Sequence, residues 1–144
     1  MLKTSSFICA MLISAPLWAG HELDGRDLVR GQGLYQDNCA SCHGDNLEGQ
    51  PNWRDLDEDG VMQAPPHDEN GHTWHHDNRL LFNYTKLGGA LMLEQMGVTG
   101  VKSGMPGFGD VLSDDEILDV LGFIRSTWPA RIQEMQASRN PPHE

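Results

Sequence analysis

The sequence predicts an all-α fold with about three main helices, on three observations. Apolar residues return at helical spacing in three separate stretches, residues 23–38, 77–89 and 113–128. The last of these opens with Ser113 followed three positions later by Glu116, the signature of a capped helix start. Nowhere does the chain alternate apolar and polar residues with the period of two that a half-buried strand shows. At 144 residues there is room for one domain with a true core and not for two.

The first residues read as a leader. Lys3 supplies a positive start, residues 7–18 are apolar but too few to span a bilayer, and Ala19 and Gly20 offer a small-residue cleavage site. Pro16 disfavours a buried helix there. Residues 1–19 are therefore expected to be a cleaved signal peptide that takes Cys9 with it, although Leu17 is an unusual residue three places before the cut. The domain is placed at residues 25–131 and a polar tail at 132–144, frayed at its end.

Each helix has its own justification. In LDGRDLVRGQGLYQDN, residues 23–38, Asp24 can cap the start, with Leu28, Leu34 and Tyr35 facing inward. In DNRLLFNYTKLGG, residues 77–89, Asp77 can cap, Leu80, Leu81, Tyr84 and Leu87 form the inner face, and Gly88 ends the helix. Met92 and Met96 suit the apolar face of a following helix. After Ser113 the acidic run Asp114, Asp115 and Glu116 complements the helix dipole. Ile117, Val120, Leu121, Ile124 and Trp128 then make the buried stripe, widened by Phe123, until Pro129 breaks the chain. Residues 129–140 can form a short polar helix in the tail.

Once the leader is removed only Cys39 and Cys42 remain, in NCASCHGDN, residues 38–46, and in an oxidising compartment. The C-x-x-C-H pattern admits three readings. A structural zinc site wants four ligands, and there is no second cysteine pair. A redox dithiol belongs at a strand-to-helix junction, whereas the residues before Cys39 read as helix. A covalent haem anchor uses all three residues: two thiols about one turn apart for the vinyl groups, and the adjacent imidazole of His43 beneath the iron. That reading gains from a downstream thioether. Met105, in SGMPGFGDVLSDDEI (residues 103–117), sits between Gly104 and Pro106, among residues that favour turns over a helix face. Imidazole plus thioether is the ligand pair that raises haem potential.

On these motifs residues 25–131 resemble the class I, mitochondrial-type c-type cytochromes, and specifically the small bacterial periplasmic monohaem ones. The resemblance implies helices wrapped around one covalently attached haem c. It also implies thioether bonds to Cys39 and Cys42, with His43 as proximal and Met105 as distal iron ligand. It further implies that Gly31 and Tyr35 meet an aromatic of the last helix, for which Phe123 is the counterpart. A proline carbonyl of APPH, residues 64–67, is implied as acceptor for the His43 N–H, Pro65 being preferred over Pro66.

The chain departs from that pattern in HDENGHTWHHD, residues 67–77, which gathers His67, His72, His75 and His76 around Trp74. The preferred reading is a polar loop over the haem edge, with Trp74 or a histidine donating to a propionate. The alternative is a second metal site, such as one for copper, or a surface for a copper-containing partner, although adjacent histidines do not easily share one ion. The acidic run WRDLDEDG, residues 53–60, lacks the terminal glutamate of a calcium loop and reads as a solvated face.

The function expected is single-electron carriage between a donor and an acceptor redox protein in the periplasm, with no enzyme activity. The mature protein is expected to be soluble, alone or beside a membrane oxidase or dehydrogenase. A net charge of −11 argues against a nucleic-acid partner and suits partners with basic docking patches. The competing expectation is a haem enzyme or small-ligand sensor in which Met105 leaves the iron, its loop loosened by Gly104, Gly107 and Gly109.

Overall fold

The computed structural model describes residues 22–141, so the expected leader, Cys9 and the last three residues lie outside the described residues. Among these residues six α-helices follow one another: α1 (Leu28–Asn38), α2 (Ala40–His43), α3 (Asn78–Leu87), α4 (Gly89–Gln95), α5 (Asp114–Ser126) and α6 (Ala130–Ala137). Two short strands, β1 (Val61–Met62) and β2 (Lys102–Ser103), pair in parallel with Met62 opposite Ser103.

Helix α1 starts one turn later than the sequence suggests. The Asp27 carboxylate, not that of Asp24, caps it by accepting the Arg30 backbone N–H at 3.0 Å. Asp24 is instead held by Arg125 at 2.8 Å. With the later start, Leu28 is left 42% exposed and the buried positions are Gly31 and Tyr35, one turn apart.

Helix α1 lies directly on α5. A Cβ at Gly31 would overlap the Asp119 carbonyl and come within 3.1 Å of the Phe123 Cβ, so only glycine allows this crossing. Beside it the buried Asp119 carboxylate accepts from the Arg30 guanidinium at 2.5 Å and from the Asp27 N–H at 3.3 Å. A buried charge with a cationic partner and a backbone donor avoids the desolvation cost of an unpaired one. One turn on, the Tyr35 and Phe123 rings meet at 5.6 Å.

Helix α5 opens with the reciprocal Ser113–Glu116 capping box. Its Ile117, Val120, Leu121 and Ile124 are all buried, and Trp128 follows them into the core. Each fully buried aliphatic side chain contributes roughly 1.5–3 kcal/mol. Helix α3 is capped by Asp77 and ends at Gly88. Leu81 packs into the core, whereas Leu87, expected inward, is 38% exposed. On α4, Met92 is buried, but Met96, one residue past the helix, faces solvent.

Helix α6 is not a loose tail. Ile132 joins the core with Tyr35, Ile124 and Trp128. The fully buried Gln136 donates through Nε2 to the Asn78 side chain at 2.8 Å, and Asn140 accepts the Asn78 N–H at 2.8 Å. Packing thus continues through residue 140, past the boundary placed at 131. One isoleucine and one glutamine a turn apart in a polar stretch make too narrow a stripe to read as amphipathic from sequence.

Gly33, on the outer side of α1, has only open space within 4 Å of where a Cβ would stand, and provides a control. Gly33→Ala is expected to raise stability by about 0.5–1 kcal/mol through helix propensity. Gly31→Ala is expected to lower it by about 1–3 kcal/mol through overpacking against α5. Urea midpoints of the two variants should move in opposite directions.

Candidate haem-binding site

Helix α2 is a single turn that carries Cys39 at its N-cap and His43 at its end. It is welded to α1, because the Cys39 N–H donates to the Tyr35 carbonyl at 2.8 Å while the Cys42 and His43 N–H groups donate to the Cys39 carbonyl. The Tyr35 hydroxyl closes the turn by donating to the Gly44 carbonyl at 2.8 Å. Cys39 is half-buried against the core and Cys42 is exposed. Burial, and secondarily the neighbouring Cys42, push the Cys39 thiol up to about 11.

His43 is buried, and its Nδ1–H donates to the Pro65 carbonyl at 2.8 Å. With the proton on Nδ1, Nε2 carries the lone pair that can bind a metal. Burial lowers the His43 pKa and the Pro65 bond opposes it in part, so the ring is held neutral, the form a metal ion requires. Pro66 has a different role: its carbonyl accepts from the Thr73 hydroxyl at 3.4 Å.

Met105 is placed by the end of α3. Its carbonyl accepts the Gly89 N–H at 3.0 Å, its own N–H donates to the Ser103 hydroxyl at 3.3 Å, and Phe108 and Gly109 donate to the Thr85 and Lys86 carbonyls at 3.0 Å. Gly107 lies against the Leu87 backbone so closely that a Cβ would meet it at 2.8 Å. It is therefore a close-approach glycine in a tethered segment, not a loosening one. The β1–β2 pair sets the segment leading to Pro65 beside the segment leading to Met105. Both strands run the same way; Pro65 lies three residues beyond Met62, and Met105 two beyond its partner Ser103.

The histidine loop divides three ways. His67 turns inward and lies flat on His43, ring centroids 4.0 Å apart at 24°. By sequence alone it groups with the loop surface; its place directly after Pro65–Pro66 is the signal that sets it apart. His72 stacks on Trp53 at 5.2 Å and meets His76 edge-on at 5.2 Å. His75 stacks on Trp74 at 3.6 Å.

The Trp74 Nε1 donates to the Glu69 carbonyl at 3.2 Å while its ring packs against the core. Among the described residues no three His, Cys, Asp or Glu side chains gather as a metal site. In the acidic run, Asp57 accepts the Asp59 and Val61 N–H groups at 2.9 and 2.8 Å, so its carboxylate shapes a turn.

Two thiols on one helical turn and an adjacent buried imidazole whose Nδ1 is engaged are the residue types that covalent haem attachment uses. The family model for cytochrome c matches residues 28–128. The chain belongs to the cytochrome c family. Membership brings covalently bound haem c. The chain is also 38% identical over 100 residues to a thiosulfate dehydrogenase of Allochromatium vinosum, across 68% of this chain but 30% of that protein. No solved structure matches it.

The partly buried histidines make stability pH-dependent. Burial, first among the causes, holds His67, His72 and His76 below the ordinary value of 6.5, with His67 lowest. Below that pH the unfolded chain binds more protons than the folded one. Stability is therefore full above it and is lost as pH falls towards the folded values. The slope is up to about 1.4 kcal/mol per pH unit for each histidine. Urea midpoints of the cytochrome should drop as the pH is lowered from neutrality through this range, and His72→Gln should flatten the decline.

Proposed function

We propose that this cytochrome is a periplasmic monohaem electron carrier whose haem is held by thioether bonds to Cys39 and Cys42 and ligated by His43 and Met105. The observation that carries the reading is the 2.8 Å bond from His43 Nδ1 to the Pro65 carbonyl, which leaves Nε2 for the metal and strengthens the imidazole as a ligand. When bound, the haem supplies a one-electron ferric/ferrous couple at a potential that methionine ligation raises.

The protein's own part is to keep its side chains still. His43 is fixed by its helix turn, its hydrogen bond and burial. The Met105 segment is tied down by four hydrogen bonds, two of them to carbonyls in the last turn of α3. Ligands that do not move when one electron arrives leave little to reorganise. The charge of −11 favours basic patches on donor and acceptor proteins at rates that fall with salt. Export to the periplasm rests on the leader-like residues 1–19.

The 38% identity to a thiosulfate dehydrogenase favours a second reading, in which this chain is itself an oxidoreductase for thiosulfate. The tethering of Met105 weighs against it, since a ligand that leaves the iron needs a segment free to move. Optical spectra separate the two. The carrier shows a ferric charge-transfer band from sulfur ligation, no response of the ferrous form to carbon monoxide, and no reduction by thiosulfate at a catalytic rate. Met105→Ala is expected to lose the band, bind carbon monoxide and lower the potential; a variant with unchanged potential would remove Met105 from the iron. The double replacement Cys39→Ser with Cys42→Ser is expected to lose haem stain on a denaturing gel.

A further inference from the structure

We propose that His67 is a positioning residue for His43, its ring fixing the plane in which the His43 imidazole meets the haem iron. The inference rests on the reading that His43 ligates that iron. The His43 imidazole, anchored through its Cβ to the helix turn and held at Nδ1 by the Pro65 carbonyl, can still rock through small changes of its own side-chain torsions. A flat contact on its face restrains that motion, and the His67 ring makes one, with centroids 4.0 Å apart at 24°.

His67 is itself held on every side. Its N–H donates to the Leu47 carbonyl at 2.8 Å, and its carbonyl accepts from Trp128 Nε1 at 2.7 Å. Its Nδ1 lies 2.7 Å from the Thr73 hydroxyl. The same hydroxyl lies 3.4 Å from the Pro66 carbonyl, so the Thr73 side chain links the His67 ring to the proline loop whose Pro65 carbonyl holds His43. Tyr35 meets the His67 ring edge-on, centroids 6.4 Å apart at 75°. The two backbone bonds place the residue, and the Nδ1–Thr73 bond, the one its side chain makes here, sets the plane of the ring.

The orientation of a ligand imidazole plane decides how unpaired spin spreads over a ferric haem, and so the order of the haem-methyl proton shifts. The test compares those shifts in haem-loaded wild type, His67→Phe, His67→Leu and Thr73→Val. Phenylalanine keeps a flat ring on His43 but loses the Thr73 bond, so it is expected to move the signals no further than Thr73→Val does. Leucine is expected to change the order and narrow the spread. Thr73→Val, which removes only the hydroxyl that orients His67, is expected to move the same signals in the same sense by less, and it decides the matter if the leucine variant does not fold.

Wild-type shifts in both His67→Leu and Thr73→Val, or in Thr73→Val alone if the leucine protein is lost, would overturn the proposal. So would a phenylalanine variant that departs as far as leucine. Imidazole ¹⁵N shifts of the ferrous wild type report separately whether His43 Nε2 is bound to iron. If it is not, the ligand assignment fails whatever the His67 variants show.

Discussion

Everything at the haem-binding site depends on how closely α1 and α5 approach. Gly31 lets the backbone of one helix rest on the backbone of the other at Asp119, and the Arg30–Asp119 pair locks the crossing from the side. That contact sets the position of Tyr35, one turn along. Tyr35 then fixes α2 twice, by accepting the Cys39 N–H at its carbonyl and by donating its hydroxyl proton to Gly44. The two thiols and His43 are carried on that turn. An added methyl group at residue 31 would displace the helix on which the ligand turn is built, although residue 31 itself is twelve positions from His43.

The remaining parts come from loops, and loops need tethers. Short parallel pairing of β1 with β2 aligns the segment leading to Pro65 with the segment leading to Met105. Hydrogen bonds to the last carbonyls of α3 fasten the Met105 side. On the His43 side, the inward turn of His67 and the docking of Trp128 onto its carbonyl join the proline loop to the end of α5. Helix α6 then covers this junction through Ile132 and Gln136. The carrier chemistry proposed for the site needs this kind of immobility, because its speed depends on how little moves when the charge changes.

Much of this is legible without coordinates. The 3.6-residue period of residues 117–124 reports one buried face directly, and the Ser113–Glu116 pair marks the start of α5 to the residue. The C-x-x-C-H run defines its own geometry, since residues three apart in one turn must be neighbours. Less legible is anything decided by distant partners. Asp24 and Asp27 are equally good caps on paper, and the choice between them falls to Arg125, 101 residues beyond Asp24, which holds its carboxylate. Trp74 looks free to reach a propionate because nothing in the sequence shows that the Glu69 carbonyl takes its one donor.

The sequence by itself determined the helical class and the C-x-x-C-H haem motif, because these are set by residue type and by spacing within a few positions. Only the tertiary structure decided which glycines are close contacts, which of four histidines turns inward, and that residues 130–140 belong to the core. Those outcomes depend on side chains meeting across long sequence separations, where hydrogen-bond geometry and packed volume, and not local pattern, determine which arrangement is lowest in free energy.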